Sequence, residues 1–153
     1  NDLVKTGNGR DVLTGGAGAD ELWGGFGWNT YRSEKDGSSD LLVIRSDQWL
    51  ANPRLNNTTG NNADGSKADT IEELDAIDRI IIQGVATSDI SVEASVTTPA
   101  GVTGIGVYAK GVLEAVYTGT NLSLHQLHGL ITGDNSAAAV ANTISSYGGS
   151  WVL

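Results

Sequence analysis

Single apolar residues recur every nine positions at the amino end of the chain: Val4, Leu13, Leu22 and Tyr31 each stand two places after Asp2, Asp11, Asp20 and Asn29. Between them the segments read TGNGRDVLT, GGAGADELW and GGFGWNTYR, beginning at Thr6, Gly15 and Gly24. A fixed period of this length marks a stack of small units, each too small to bury its own apolar face. Three residues of strand follow each turn, and strand alternation sends the middle side chain inward and its two neighbours outward. Val4, Leu13, Leu22 and Tyr31 are thus expected to form one core stripe.

Each nonapeptide is read as half a coil, so turns on one edge are eighteen residues apart, pairing Asp2 with Asp20 and Asp11 with Asn29. The stretch 33–40 lacks the double glycine, but Asp40 followed by Leu42 restores the pattern after a longer turn and is expected to pair with Asp20. Residues 31–44, ending DGSSDLLVI, close the repeat region with a last turn and strand.

Farther along, 52–68 is dominated by Asn, Thr, Gly, Asp and Ser with one Pro, as expected of a surface insertion. Short β-prone runs follow at 80–83, 90–96, 102–108 and 112–117, with Lys110-Gly111 as a hairpin turn. The run 122–131 predicts a helix, with Leu124, Leu127 and Ile131 on one stripe and Gly133 ending it. The tail from Asn135 is rich in Ala, Ser and Gly and ends in Trp151, Val152 and Leu153, which are suited to anchor it.

The expected architecture is all-β: repeats over 1–48, a polar loop over 49–68, a strand-rich cap with one short helix over 69–134, and a tail over 135–153.

Composition sharpens this picture. The formal charge of −9, from 9 basic and 18 acidic residues, disfavours nucleic acid and anionic membranes as partners and makes cations the natural counter-species. With no cysteine, disulfides and thiolate metal sites are excluded, which leaves oxygen ligands. Twenty-one glycines against 2 prolines point to many backbone positions with positive φ rather than a proline-stiffened linker. No apolar run approaches a membrane span, and the first residues lack the basic and apolar regions of a classical signal peptide. Lacking methionine altogether, the chain reads as a piece of something longer.

Calcium takes roughly six to eight oxygen ligands, which carbonyls from two stacked turns and one carboxylate from each can supply. The candidate ligand groups are therefore three turns with their acidic residues. The first comprises Thr6, Gly7, Asn8 and Gly9 with Asp11; the second Gly15, Gly16, Ala17 and Gly18 with Asp20; the third Gly24, Gly25, Phe26 and Gly27 with Asn29. Asp2 and Asp40 extend the acidic column, and Asp69 is a further candidate at the head of DTIEELDAIDRIIIQG. Asn29 keeps an oxygen but loses the charge, so the Asp11 and Asn29 site is expected to be the weaker one.

Other chemistries find little support. No lysine follows Gly15, Gly16 and Gly18 at phosphate-loop spacing, and no helix of useful length opens behind them. Counting an EF-hand loop around Gly65 puts Gly60 and Ile71 where acidic ligands belong, so Asp64 stands in an ordinary polar loop. His125 and His128 lie three apart with no carboxylate or thiol to complete a zinc shell. No nucleophile elbow or HExxH spacing occurs, and no enzymatic activity is expected.

The segments GGAGADELW, GGFGWNTYR, DGSSDLLVI and DTIEELDAIDRIIIQG together resemble the RTX, or haemolysin-type, calcium-binding repeat proteins. The specific part of the resemblance covers residues 2–44, while 69–85 are similar to the strand-turn-strand that commonly follows such repeats. The resemblance implies a right-handed parallel β-roll (a β-solenoid) with calcium in its turns. It also implies export by type I secretion machinery, folding outside the cell and a secreted or cell-surface location.

Two functions compete on this basis. One is a folding, secretion and stability module of a larger protein. The other is an attachment module for extracellular polysaccharide, similar to the repeat modules of alginate epimerases, with Trp23, Trp28 and Tyr31 as stacking faces.

Overall fold

The computed structural model describes residues 1–7, 9–25, 27–46 and 68–136. In the repeats, each nonapeptide yields one three-residue strand: β1 (Leu3–Lys5), β2 (Val12–Thr14), β3 (Glu21–Trp23) and β4 (Thr30–Arg32). Further strands are β5 (Leu41–Arg45), β6 (Asp69–Glu73), β7 (Arg79–Gln83), β8 (Ile90–Thr97), β9 (Thr103–Ala109), β10 (Val112–Tyr117) and β11 (Ile131–Asp134). The one α-helix among the described residues is α1 (Leu124–Gly129). No helix among them is long and apolar enough to cross a membrane.

Strands of the first seven alternate between two sheets. One has the order β1-β3-β5-β7-β11, and the other β2-β4-β6-β10-β9-β8. The first is parallel throughout, as is the second from β2 to β10; β10, β9 and β8 then pair antiparallel. Leu3 lies opposite Glu21 and Val12 opposite Thr30, the eighteen-residue step expected of paired half-coils. The longer turn at 33–40 stretches the next step to twenty, Glu21 opposite Leu41. Parallel stacking continues through β6 on β4 and β7 on β5, well past the last double glycine of the repeats.

The expected alternation holds in each repeat strand. Leu13, Leu22 and Tyr31 are fully buried at the middle positions, with Val4 packed against their cluster from the outermost strand. Leu42, Ile71 and Ile80 continue the stripe, so the core lies between the two sheets. Tyr31 satisfies its hydroxyl there by accepting from the Gly24 N–H at 3.0 Å and donating to the Val43 carbonyl at 2.9 Å.

At the far end, β10 occupies 112–117 as expected, and Lys110 and Gly111 form the hairpin turn with φ of 52° and 79°. The helix is shorter than the apolar spacing predicts. Ser123 and Gln126 close a capping box at its start, Leu127 is buried, and Leu124 is largely solvent-facing. Ile131 and Gly133 belong to β11, which pairs with β7. Glycine at 133 is required by a close approach and not by a helix end, because a Cβ there would strike the backbone at 85–87. Residues 47–67, including Asp64, and the tail from 137, with its aromatic and aliphatic end, lie outside the described residues.

Candidate metal centre

Because strands alternate between sheets, the turns fall on two edges. One edge carries residues 1–2, 15–20, 33–40 and 74–78; the other carries 6–11, 24–29 and the approach to Asp69. Asn8 and Phe26 lie outside the described residues. In the glycine turns the second and fourth positions take left-handed geometry, Gly16 and Gly18 at φ 82° and 114°, Gly25 and Gly27 at 70° and 112°. Glu34, eighteen residues after Gly16, holds φ 69° without glycine, so the turn lacking a double glycine still keeps this conformation.

On each edge the acidic residues form a ladder. The Asp2 N–H donates to Asp20 Oδ1 at 2.5 Å, the Asp20 N–H to Asp40 Oδ1 at 2.8 Å, and the Asp40 N–H to Asp78 Oδ1 at 2.8 Å. On the opposite edge the Asp11 N–H donates to Asn29 Oδ1 at 3.1 Å and the Asn29 N–H to Asp69 Oδ1 at 2.7 Å. In return, the main-chain carbonyls of Asp2, Asp20, Asp40, Asp11 and Asn29 each accept from the residue that follows the next ladder member. The pairings expected from the repeat are thus brought together, and Asp69 joins the second ladder.

Asp78 was not among the residues singled out from the sequence. Its signal was nevertheless present: Asp78 stands two places before Ile80, the spacing that also holds for Asp20 and Leu22 or Asp40 and Leu42.

Asp20, Asn29, Asp40, Asp69 and Asp78 are all buried. Oδ1 of each of these five accepts a ladder N–H, and the fate of the other side-chain atom separates the rungs. Oδ2 of Asp11, Asp20 and Asp40 is buried and has no hydrogen-bond partner among the described residues. Asp20 Oδ2 faces its own turn so closely that a Cβ on Gly15 would come within 2.6 Å of it. Asp78 Oδ2, by contrast, accepts from Ser33 Oγ at 3.1 Å and from the Asp75 N–H at 2.6 Å.

Asn29 is satisfied in another way. Its Nδ2 donates to the Gly24 carbonyl at 2.9 Å and the Gly25 carbonyl at 3.4 Å, while Thr6 Oγ1 also donates to the Gly24 carbonyl at 2.9 Å.

Stacked carboxylates without a counter-charge are costly. Burial, with the charges of Asp78, Asp20 and Asp36 adding to it, pushes the Asp40 carboxyl up to about 6. Burial likewise raises Asp78. At the exposed tip of the same edge, the N–H groups of Gly18 and Ser38 hold Asp36 below the ordinary carboxylate range.

Unpartnered buried oxygens, one of them so near Gly15 that no Cβ fits between, suit a hard cation of the calcium type. Among the described residues no three acidic, imidazole or thiol side chains converge on one point. The remaining ligands must then be main-chain carbonyls, which the glycine turns are built to present. His125 and His128 are both exposed on α1 and take no part.

Trp23 lies under Lys5 Nζ, 4.5 Å from the ring centroid, and Trp28 under the Arg10 guanidinium at 4.1 Å. Tyr31, a third stacking face only in the polysaccharide reading, is in the core, as expected of its place in the inward column.

Residues 1–32 match the family model of the RTX calcium-binding nonapeptide repeat in four copies. No curated protein and no solved structure matches the chain. That span contains the four registers of Asp2, Asp11, Asp20 and Asn29, and the chain carries RTX-type calcium-binding nonapeptide repeats.

Proposed function

We propose that this chain is a calcium-binding β-roll module, right-handed and solenoidal through its parallel half, that folds on binding calcium outside the cell. In this role it supports type I secretion and stability of a larger extracellular protein, and it has no catalytic activity of its own. The observation that carries the reading is the buried pair Asp20 and Asp40, each with one oxygen capping the ladder and one left without a partner.

A carboxylate taken out of water without compensation is strongly unfavourable, and two on successive rungs repel each other as well. Bound calcium would supply the counter-charge and the missing ligand contacts at that edge. Because the unfolded chain cannot assemble the turns, binding is linked to folding, each site contributing about 2.7 kcal/mol at a hundredfold excess over Kd. Cytosolic calcium is too scarce to give that term, so the module stays unfolded until export.

Polysaccharide attachment is the less favoured role: Tyr31 is buried, and the faces of Trp23 and Trp28 carry cations of the chain itself.

Far-UV circular dichroism of the chelator-treated chain during a calcium titration, with magnesium as control, tests the proposal. A calcium-specific gain of β signal is expected. A chain already folded in chelator and indifferent to calcium would refute it.

A further inference from the structure

We infer that the turn at 24–29 is a rung closed to calcium by the protein itself: the Asn29 side-chain amide takes the ion's place among the turn carbonyls. This inference rests on the calcium-module reading and says where in the stack that reading does not apply.

The amide orientation is fixed from both sides. Asn29 Oδ1 accepts the Asp11 N–H, and reversing the group would set that N–H against an NH2 and an oxygen against the Gly24 carbonyl. With Nδ2 in the turn, the Gly24 carbonyl receives Asn29 Nδ2 and Thr6 Oγ1, which together use both of its lone pairs. The Gly25 carbonyl takes a second, longer contact from the same nitrogen. An ion bound there would have to displace two donors from Gly24, and its own turn would offer an amide in place of a carboxylate, with Asp11 and Asp69 on the flanking rungs as the anionic groups.

The equivalent turn at 15–20 contrasts at the same points. Its acidic residue is a carboxylate, the oxygen facing the turn has no partner, and no described side chain donates to the carbonyls of 15–18. At Asn29 the second edge therefore holds its coil by neutral hydrogen bonds, with the unpartnered Asp11 Oδ2 one rung away, while on the first edge the unpartnered oxygens of Asp20 and Asp40 stand on successive rungs. At Asp78 the first edge also closes on protein donors, Ser33 and the Asp75 N–H, so its cation-dependent rungs end at Asp40.

The test is the number of calcium ions bound per chain, counted by calorimetry on the full chain with calcium chloride as titrant. Asn29→Asp removes the donor and restores the charge, and should bind one ion more than the parent. Asn29→Ala should bind the same number as the parent while losing stability to a similar degree in calcium and in chelator.

An unchanged count in Asn29→Asp, or one ion fewer in Asn29→Ala, would overturn the inference while leaving the calcium module standing. If Asn29→Asp does not fold even in calcium, the Asn29→Ala count decides alone. A parent chain that binds no calcium would remove the module reading and this inference with it.

Discussion

Replacing Asp20 by asparagine should change the sign of its effect with calcium. The substitution preserves shape and the oxygen that accepts the Asp2 N–H, and removes the charge of a residue that is only 3% exposed. In chelator, that charge lies one rung from Asp40, whose N-terminal neighbour in the ladder it is, and like charges about 6–10 Å apart repel by roughly 2–3 kcal/mol at an effective dielectric near 20 before solvent screening. Asp20→Asn should therefore be neutral or stabilising by about 1 kcal/mol there. In saturating calcium the same change removes an anionic ligand, and up to about 2.7 kcal/mol of linkage disappears at a concentration a hundredfold above the parent Kd.

Urea unfolding followed by circular dichroism measures both arms, with an osmolyte such as TMAO added equally throughout to hold the chelated chain folded. The reasoning is refuted if Asp20→Asn destabilises by the same amount with and without calcium, because Asp20 would then act only through packing and its hydrogen bond.

Other perturbations separate core, turn and charge. Leu22→Ala deletes a fully buried side chain from the cluster between the sheets and should cost about 2–5 kcal/mol of unfolding free energy in calcium, as measured by denaturant titration. Gly15→Ala places a Cβ against Asp20 Oδ2 and should weaken calcium binding in calorimetry, whereas the same test on Gly7→Ala, where a Cβ meets nothing, should give a smaller loss.

Asp40 protonates near 6 in the fold but near 3.8 in its ordinary state, so the metal-free fold binds the proton more tightly than the unfolded chain does. Stability of the metal-free fold should accordingly fall as pH rises from about 4 to about 6. Calcium affinity should rise over the same window and level off above it, a profile that calorimetry at several pH values would check.

The repeat half was legible because two periodic signals ran in fixed phase. Asp2, Asp11, Asp20 and Asn29 stood two residues before Val4, Leu13, Leu22 and Tyr31, which fixed strand, facing and the eighteen-residue pairing together. Asp40 was found by the same phase despite its altered turn. Asp78 was not, although Asp78 and Ile80 keep the spacing, because the glycines that draw attention to the other turns are absent there. For Asn29 the sequence shows a kept oxygen and a lost charge, hence a weaker site. Which way its amide turns depends on Thr6, Gly24 and Asp11 meeting in space, and periodicity carries no information on that.

The cap was less legible for a different reason. Leu124, Leu127 and Ile131 fit a helical stripe, yet the helix ends at Gly129 because Ile131 is claimed by the edge of β7, where backbone pairing and burial outweigh the local pattern. Gly133 fits a helix stop by spacing alone, whereas its smallness serves strand packing against 85–87.

The most direct test is a crystal structure of the chain grown in calcium, with anomalous difference density used to place the ions. The account predicts a peak between the turns at 15–20 and 33–40, with Asp20 and Asp40 carboxylate oxygens and turn carbonyls about 2.3–2.6 Å from it. A clean map with no peak on that edge, and both carboxylates satisfied by protein or water, would contradict it.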